Sequence, residues 1–459
     1  MNIFSRLESI VGPKNVSIEP ADLEKFGLDR TNIYCSNPQV IVFPTSIDQV
    51  QQVIFLANEL EIPIVPSGGR TGLSGGAVAS KSEIVLSMSK MNSIVDVNLN
   101  DRTVTVEAGA TTQEVQEVAT KNGLFYPVNF ASVGSSQIGG NVATNAGGVN
   151  VIKYGMTRDW VLGITAVTGS GELLELNKSL IKNNTGYDFR HLFIGSEGTL
   201  GIICKVTLKL TETPPPSSVF ILGVSKFKNL LEVLKIFQSK LSLQAFEFFS
   251  DHALEKVIEA HGYPKPFETD APFYALIDFD NQDNTSQDDA LKLYSECADK
   301  KLVLDGVMSE SIAQSQNMWK LREDISETLW HYQPYKNDLS VRISKMPKFL
   351  DEVGSFIKKS YPNFEVIWYG HIGDGNLHLN ILKPAALNKF EFKSLCDDIS
   401  MNLGQLVESY DGSISAEHGV GILKRDYLKF SKSSGEISLM AEVKKVFDPK
   451  GILNPGKLL

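Results

Sequence analysis

The chain of 459 residues is poor in cysteine, basic charge and long apolar runs, and each shortage removes a class of function. Its four cysteines (Cys35, Cys204, Cys297 and Cys396) lie far apart and form no CxxC, so free thiols in a reducing compartment are expected. The formal charge of -10 argues against nucleic acid as a partner, because neutralising phosphates takes clustered Lys and Arg. Lys358-Lys359 and Lys444-Lys445 read as solvated helix faces. No apolar run is long enough to span a bilayer, and 42% hydrophobic with 21% charged residues is the composition of a globular protein. Residues Met1 to Gly12 include Glu8 and have no extended apolar core, which fits neither a secretion signal nor an Arg-rich transit peptide, so a cytoplasmic protein is expected. An NTP loop is missing too: Ser80-Lys81-Ser82 has serine where a P-loop requires glycine.

What is present suggests two or three domains with mixed α and β structure. The β-branched run Val40 to Phe43, a helix from Ser46 with an apolar stripe at Ile47, Val50, Val53, Ile54 and Ala57, and a strand Ile62 to Val65 make an α/β opening. Two hairpins follow, Ile94 to Val97 with Thr103 to Glu107, and Val161 to Thr168 with Glu172 to Leu176. A strand is expected within Thr199 to Leu210. Thr213-Pro214-Pro215-Pro216-Ser217-Ser218 is the clearest linker. Beyond it, strands at Val219 to Val224, Phe273 to Phe279, Glu365 to Tyr369 and Leu377 to Leu382 alternate with amphipathic helices, including one from Ser315 to Trp330. That order predicts an antiparallel sheet covered by helices. Ile437 to Leu459 reads as a charged tail.

Three glycine-rich loops each lie beside a strand: Gly68-Gly69-Arg70-Thr71-Gly72-Leu73-Ser74-Gly75-Gly76, Gly134-Ser135-Ser136-Gln137-Ile138-Gly139-Gly140-Asn141, and Gly195-Ser196-Glu197-Gly198-Thr199-Leu200-Gly201. Glycine lets backbone N–H groups approach a phosphate, and three such loops in one section suit a ligand as long as a dinucleotide. The first loop does not match the nicotinamide fingerprint. These loops, with Asn454-Pro455-Gly456-Lys457, resemble the FAD-binding domain of the vanillyl-alcohol oxidase and p-cresol methylhydroxylase superfamily. The resemblance implies an α+β fold: a two-subdomain FAD-binding domain over 1–213, an antiparallel-sheet substrate- and metal-binding domain over 217–410, and a C-terminal segment over 411–459 that returns to the FAD. It assigns cofactor contacts to Pro66, Ser67, Gly68, Gly69, Arg70, Thr71, Gly72, Gly75 and Gly76 in the first loop, where the pyrophosphate sits. From the second come Gly134, Ser135, Ile138, Gly139, Asn141, Ala143 and Thr144, and from the third Glu197, Gly198, Gly201 and Ile202, with Asn454 at the C-terminus.

Three of the seven histidines fall in Gly370-His371-Ile372-Gly373-Asp374-Gly375-Asn376-Leu377-His378 and Ser415-Ala416-Glu417-His418-Gly419. Gly and Asn between His371 and His378 favour a turn over a helix, and a strand, tight turn and return would bring both imidazoles to one side. Two His and a Glu form a ligand set for zinc, or for manganese or iron, and a further His beside the Glu would be free to act as a base. The competing role for such a His is to cap a backbone carbonyl. Gly370 to Ile381, Gly412 to Arg425 and Phe447 to Pro455 are very similar to the FAD-linked D-2-hydroxy acid dehydrogenases, whose members act on D-2-hydroxyglutarate, D-lactate or glycolate, and the first subfamily matches best. In it the positions of His371, His378 and Glu417 bind zinc, that of His418 is the general base, and that of Asn380 contacts substrate.

Substrate carboxylates need cations, and Arg suits bidentate binding. Arg322 and Ser326, one turn apart on the Ser315 to Trp330 helix, match substrate contacts of the subfamily, as does Lys336; Ser326 replaces a Thr and keeps its hydroxyl. The competing role of Arg322 is a surface ion pair with Glu323 or Asp324. A second carboxylate site favours D-2-hydroxyglutarate or D-malate over D-lactate or glycolate. A rival from another class, flavin-dependent alkyl-glycerone-phosphate synthase, needs a phosphate pocket and a membrane-associating surface that the sequence does not display. An electron acceptor such as electron-transfer flavoprotein or a quinone is implied, and a homodimer is one candidate assembly. Some superfamily members bind FAD covalently through a His in the first loop, where this chain has Arg70. The flavin is therefore expected to be non-covalent: acid precipitation should leave the yellow colour in the supernatant, and colour retained by the pellet would refute this.

Overall fold

The computed structural model describes residues 2–31, 33–282 and 284–459. The chain divides into two compact units, Met1–Gly148 with Gly155–Thr213 and Glu417–Leu459, and Val149–Tyr154 with Pro214–Ala416.

Two main sheets build the first unit. Ile64–Ser67, Ile84–Ser87 and Val40–Val42 run parallel, with Val16–Ser17 antiparallel at the edge. The β-branched run Val40 to Val42 is buried on both faces, as parallel strands are. The helix Ile47–Leu60 starts where the Ser46 side chain accepts the Gln49 N–H, and it buries Val50, Val53, Ile54 and Ala57 on one stripe. The second sheet, wholly antiparallel, orders Ile94–Asn98, Thr103–Glu107, Gly201–Lys209, Val161–Thr168 and Leu173–Leu176, and so contains both hairpins read from the sequence. Thr111 and Glu114 close a capping box at the start of the helix Thr112–Lys121.

Ile437 to Leu459 is more than a tail. Most of the helix Ser434–Phe447 lies there, opened by a Ser433–Glu436 capping box. The chain then returns beside Ile64, which donates to Ile452 O and accepts from Asn454 N. Asp448, fully buried, accepts from the Ile452 and Leu453 N–H groups and pairs with Lys444 at 2.7 Å. This one carboxylate holds the turn between helix and return.

The second unit is a seven-stranded antiparallel sheet, in the order Val303–Met308, Ser217–Val224, Phe273–Asp280, Leu243–Ser250, Glu365–His371, Asn376–Leu382, Tyr335–Ser340. The sequence reading finds four of these strands. Leu243–Ser250 escapes it because its apolar and polar residues follow no period of two, and Tyr335–Ser340 because it is mostly polar. The helix expected from Ser315 to Trp330 is two helices, Ile312–Glu323 and Ile325–Leu329, which meet at Asp324, where the carboxylate accepts the Tyr263 hydroxyl at 2.8 Å. Nor does the first of them carry a clean apolar stripe: Leu321 and Arg322 are both buried while Ile312 is exposed.

Under these helices lies Asp278, with one oxygen accepting from Trp319 Nε1 at 2.9 Å and the other buried with no hydrogen-bond partner among the described residues. Burial pushes its pKa up to about 6 from 3.8. A carboxyl with a raised folded pKa binds its proton more tightly when folded, so stability falls as pH rises from the unfolded value through the folded one and stays lowered above it. Asp278→Asn, which keeps an acceptor for Trp319, should stabilise the protein by about 2–3 kcal/mol near pH 8 and by little near pH 4 in denaturant titrations. An equal effect at both pH values would rule out the buried charge as its cause.

Candidate functional site

In the first unit the three glycine loops border one cleft of about 910 Å³, its open mouth included. Pro66, Ser67, Gly68, Gly69, Arg70, Thr71, Gly72 and Gly76 line it from the first loop, joined by Ser74 and Ala77. Gly139, Asn141, Ala143 and Thr144 come from the second with Gln137 and Gly140, and Glu197, Gly198, Gly201 and Ile202 from the third with Ile203. Asp29, Met88 and Ala108 also line it; no glycine motif announces them. The other candidate contacts stand behind this lining. Ile138 is in the core, Gly75 packs on Tyr34 and Ile422, and Gly134 and Ser135 form the turn before the helix Ile138–Thr144. Asn454 donates to Gly76 O at 2.9 Å and to Glu197 O at 2.7 Å, tying the first loop to the third.

The cleft suits a flavin dinucleotide. Ser67 Oγ and Gln137 Oε1 are buried polar atoms with no hydrogen-bond partner among the described residues, and nothing lies within 4 Å of where a Gly140 Cβ would stand. Met88, Ala108, Ile202 and Ile203 give a flat ring an apolar wall, and half-buried Arg70, stacked 4.3 Å from the Phe26 ring, offers positive charge for phosphates.

Glu197 is on the cleft wall, but both its oxygens are engaged. They accept the Val420 and Gly421 N–H groups at 2.7 Å each. Burial raises its pKa, against the pull of those N–H groups and Lys424. The segment after Glu417 and His418 is thereby fastened to the first unit. Gly421 has φ +51°, and a Cβ there would lie 2.1 Å from Ser74 O, so only glycine fits. His418 Nε2 lies 3.6 Å from Glu417 Oε1.

In the second unit, alternation along four neighbouring strands turns one set of polar side chains to a single face. The register pairs Glu247 with His371, Tyr369 with His378, His378 with Asp338, and Asn380 with Lys336. The His371 and His378 rings are 5.3 Å apart and nearly perpendicular. His371 Nδ1 is 2.7 Å from Glu247 Oε1, and Arg322 Nη2 is 2.7 Å from Glu247 Oε2. Burial opposes the charge on Glu247, but His371 and Arg322 together outweigh it and hold its pKa below the ordinary carboxylate value. An ionised Glu247 can only accept, so His371 Nδ1 donates to it; in a neutral ring Nε2 would then keep the lone pair that a metal ion needs. His378 Nδ1 lies 3.6 Å from Asp338, a buried carboxylate that also accepts from Asn376 Nδ2 at 2.8 Å. Asp374 is pushed up to about 6 by burial, with Glu247 and Asp338 adding to the shift and His371 opposing it.

Arg322 is therefore not in the surface pair with Glu323 or Asp324 that its neighbours in sequence offer; its partner is a buried carboxylate on a distant strand. Its guanidinium also stacks 4.7 Å from the Tyr369 ring. Ser326 Oγ receives Lys336 Nζ at 3.0 Å, and that ammonium lies 4.4 Å from the Trp330 ring. Both side-chain heteroatoms of Asn380 are buried with no hydrogen-bond partner among the described residues. Ala416 N–H donates to Asp338 O at 3.3 Å, and Glu417 is the next residue in the chain. The sequence reading misses Glu247, Asp338, Tyr369 and Trp330. For Glu247 a signal existed: it is the one charge in the run Leu243–Ser250.

Two family models match the chain: the FAD binding domain over residues 38–177 and the C-terminal domain of FAD linked oxidases over 213–458. A protein from Stutzerimonas stutzeri named D-2-hydroxyglutarate dehydrogenase is 52% identical across 99% of this chain and 98% of its own length. One of the same name from Xanthomonas citri pv. viticola is 51% identical across 98% and 96%. The crystal structure of p-cresol methylhydroxylase superposes with a TM-score of 0.80 at 16% identity, covering 99% of this chain and 96% of that one, and so shares the fold. The two family models and these relatives define the class, a flavoprotein oxidoreductase. The chain belongs to the FAD-linked D-2-hydroxy acid dehydrogenases, enzymes that oxidise a CH–OH group.

Gly69 lies against the second loop so closely that a Cβ would be 2.0 Å from Ser135 O. Gly69→Ala should force the two loops apart and weaken FAD binding about tenfold or more, the effect of overpacking by 1–3 kcal/mol. Gly354→Ala, with nothing within 4 Å of the new methyl, should leave FAD affinity unchanged. Equal affinities for the two variants by equilibrium dialysis would refute loop contact as a requirement for binding.

Proposed function

We propose that the chain oxidises D-2-hydroxyglutarate to its 2-oxo acid, with D-malate as a second substrate. The observation that carries this reading is the polar face of the second unit. There, two histidines, two cations, the buried acids Glu247 and Asp338 and an Asn whose buried heteroatoms have no hydrogen-bond partner among the described residues come together. The near full-length similarity to proteins named D-2-hydroxyglutarate dehydrogenase supports it.

In this reading Arg322 binds one carboxylate of the substrate. Lys336, steadied by Ser326 and the Trp330 ring, binds the other, and Asn380 supplies the donor and acceptor that orient it. The two cations favour a dicarboxylate over D-lactate. His371, His378 and Glu417 would hold a divalent ion, zinc first and manganese or iron next, and such an ion would supply Lewis acidity toward a bound alcohol. His418 takes the hydroxyl proton, since imidazole is effective as a base near neutral pH. FAD, bound non-covalently in the first unit, supplies the hydride acceptor. The electrons then pass to a separate acceptor, an electron-transfer flavoprotein or a quinone. Among the described residues no helix is long and apolar enough to cross a membrane, and a cytoplasmic location remains our reading.

Anaerobic addition of D-2-hydroxyglutarate should bleach the flavin, D-malate should bleach it more slowly and D-lactate least. Protein stripped with a chelator should lose the response and recover it with zinc. His418→Ala should bind FAD normally and be reduced about 10²–10⁴-fold more slowly. Normal reduction in that variant refutes the base, and no bleaching by any of the three acids refutes the substrate class.

A further inference from the structure

We infer that Glu247 is a positioning residue with two simultaneous tasks: one oxygen orients His371 and the other orients Arg322, so a single buried charge sets both the metal side and the carboxylate side of the reaction face. This deepens the function proposed above and rests on its metal and substrate assignments.

All eight residues of Leu243–Ser250 are buried, and Glu247 itself is 1% exposed. A lone carboxylate in that setting is costly unless paired and hydrogen-bonded. Its partners are His371 Nδ1 at 2.7 Å on one oxygen and Arg322 Nη2 at 2.7 Å on the other, from a neighbouring strand and a covering helix. With His371 neutral, as a metal ligand must be, Arg322 alone balances the charge of Glu247. The contact is an ion pair through one nitrogen: Arg322 Nε and Glu247 Oε2 are both buried with no hydrogen-bond partner among the described residues, so Glu247 does not take up all the guanidinium's donors. Tyr369 adds a rigid support, its ring 4.7 Å from the Arg322 guanidinium and 4.8 Å from the His378 ring. A carboxylate–histidine pair of this kind fixes the ring's tautomer and angle, and its loss in metal sites commonly costs 10–100-fold in metal affinity.

The test uses full-length, FAD-loaded protein stripped of metal, with zinc titrated against a chromophoric chelator. E247Q should bind zinc about 10–100-fold more weakly than wild type, with FAD content and circular dichroism unchanged. At saturating zinc its KM for D-2-hydroxyglutarate should still rise, about tenfold, because Arg322 is no longer held by a charge. Equal zinc affinity in a folded E247Q overturns the His371 half of the inference, and an unchanged KM at saturating zinc overturns the Arg322 half; either result leaves the metal assignment standing. If wild-type protein binds no zinc, the metal assignment falls and the His371 half falls with it. Should E247Q not fold because Arg322 is left unpaired, E247Q/R322Q removes both charges, and the same loss of zinc affinity is expected.

Discussion

The register between Glu365–His371 and Asn376–Leu382 governs nearly everything polar in the second unit. With Tyr369 opposite His378 and Ile367 opposite Asn380, the side chains of Tyr369, His371, Asn376, His378 and Asn380 all turn to one face. Side chains alternate along a strand, so slipping the pair by one residue would send one strand's polar set into the hydrophobic layer on the far side. That layer resists the slip: Trp368, Leu377 and Leu379 are buried there, and Phe248 joins them from the next strand. Ordinary hydrophobic patterning on one face thus fixes the polar groups on the other. Tyr335–Ser340 extends the row, setting Asp338 beside His378 and Lys336 beside Asn380.

Local features of the sequence carry a large part of this. Ser46 and Thr111 announce helices because a cap is a property of four consecutive residues, and the hairpins near Val97 and Thr168 are local for the same reason. The His371–His378 turn is likewise legible, since glycine and asparagine disfavour a helix there. What stays hidden is pairing over long distances. Glu247 and His371 are 124 residues apart, and the partner of Arg322 lies on a strand whose residues follow no period of two. A composition rich in charge makes Ile437 to Leu459 look like a tail, yet a capping box at Ser433 and the buried Asp448 turn it into a helix and a return.

The first unit shows a comparable economy around its cleft. Asn454 ties the first glycine loop to the third through two backbone carbonyls, and the backbone of Glu197 is one of its acceptors. The Glu197 carboxylate then holds Val420 and Gly421. A residue that the glycine motif marks as a cofactor contact thus also anchors the segment that follows Glu417 and His418. Loops with little side-chain bulk cannot hold their shape by packing, so they take it from a few buried polar groups that bridge backbones.

Charge balance on the reaction face points the same way as its geometry. Glu247 and Asp338 are buried acids, Asp374 is an exposed one in the turn close to them, and the cations of this face are Arg322 and Lys336, so with every acid ionised the face is short of positive charge. Asp374 registers that shortage: the protein packed around it and the neighbouring Glu247 and Asp338 push its carboxyl up to about 6, although its surface is exposed. A proton on Asp374 relieves the excess, and so would a divalent cation, whose field would favour the ionised form. A substrate dianion has the opposite effect and would be repelled by this set of acids unless further positive charge were present. Arg322 and Lys336 alone do not outweigh three carboxylates. On the proposed reading, a divalent cation on this face would serve the attraction of a doubly negative substrate as much as its chemistry.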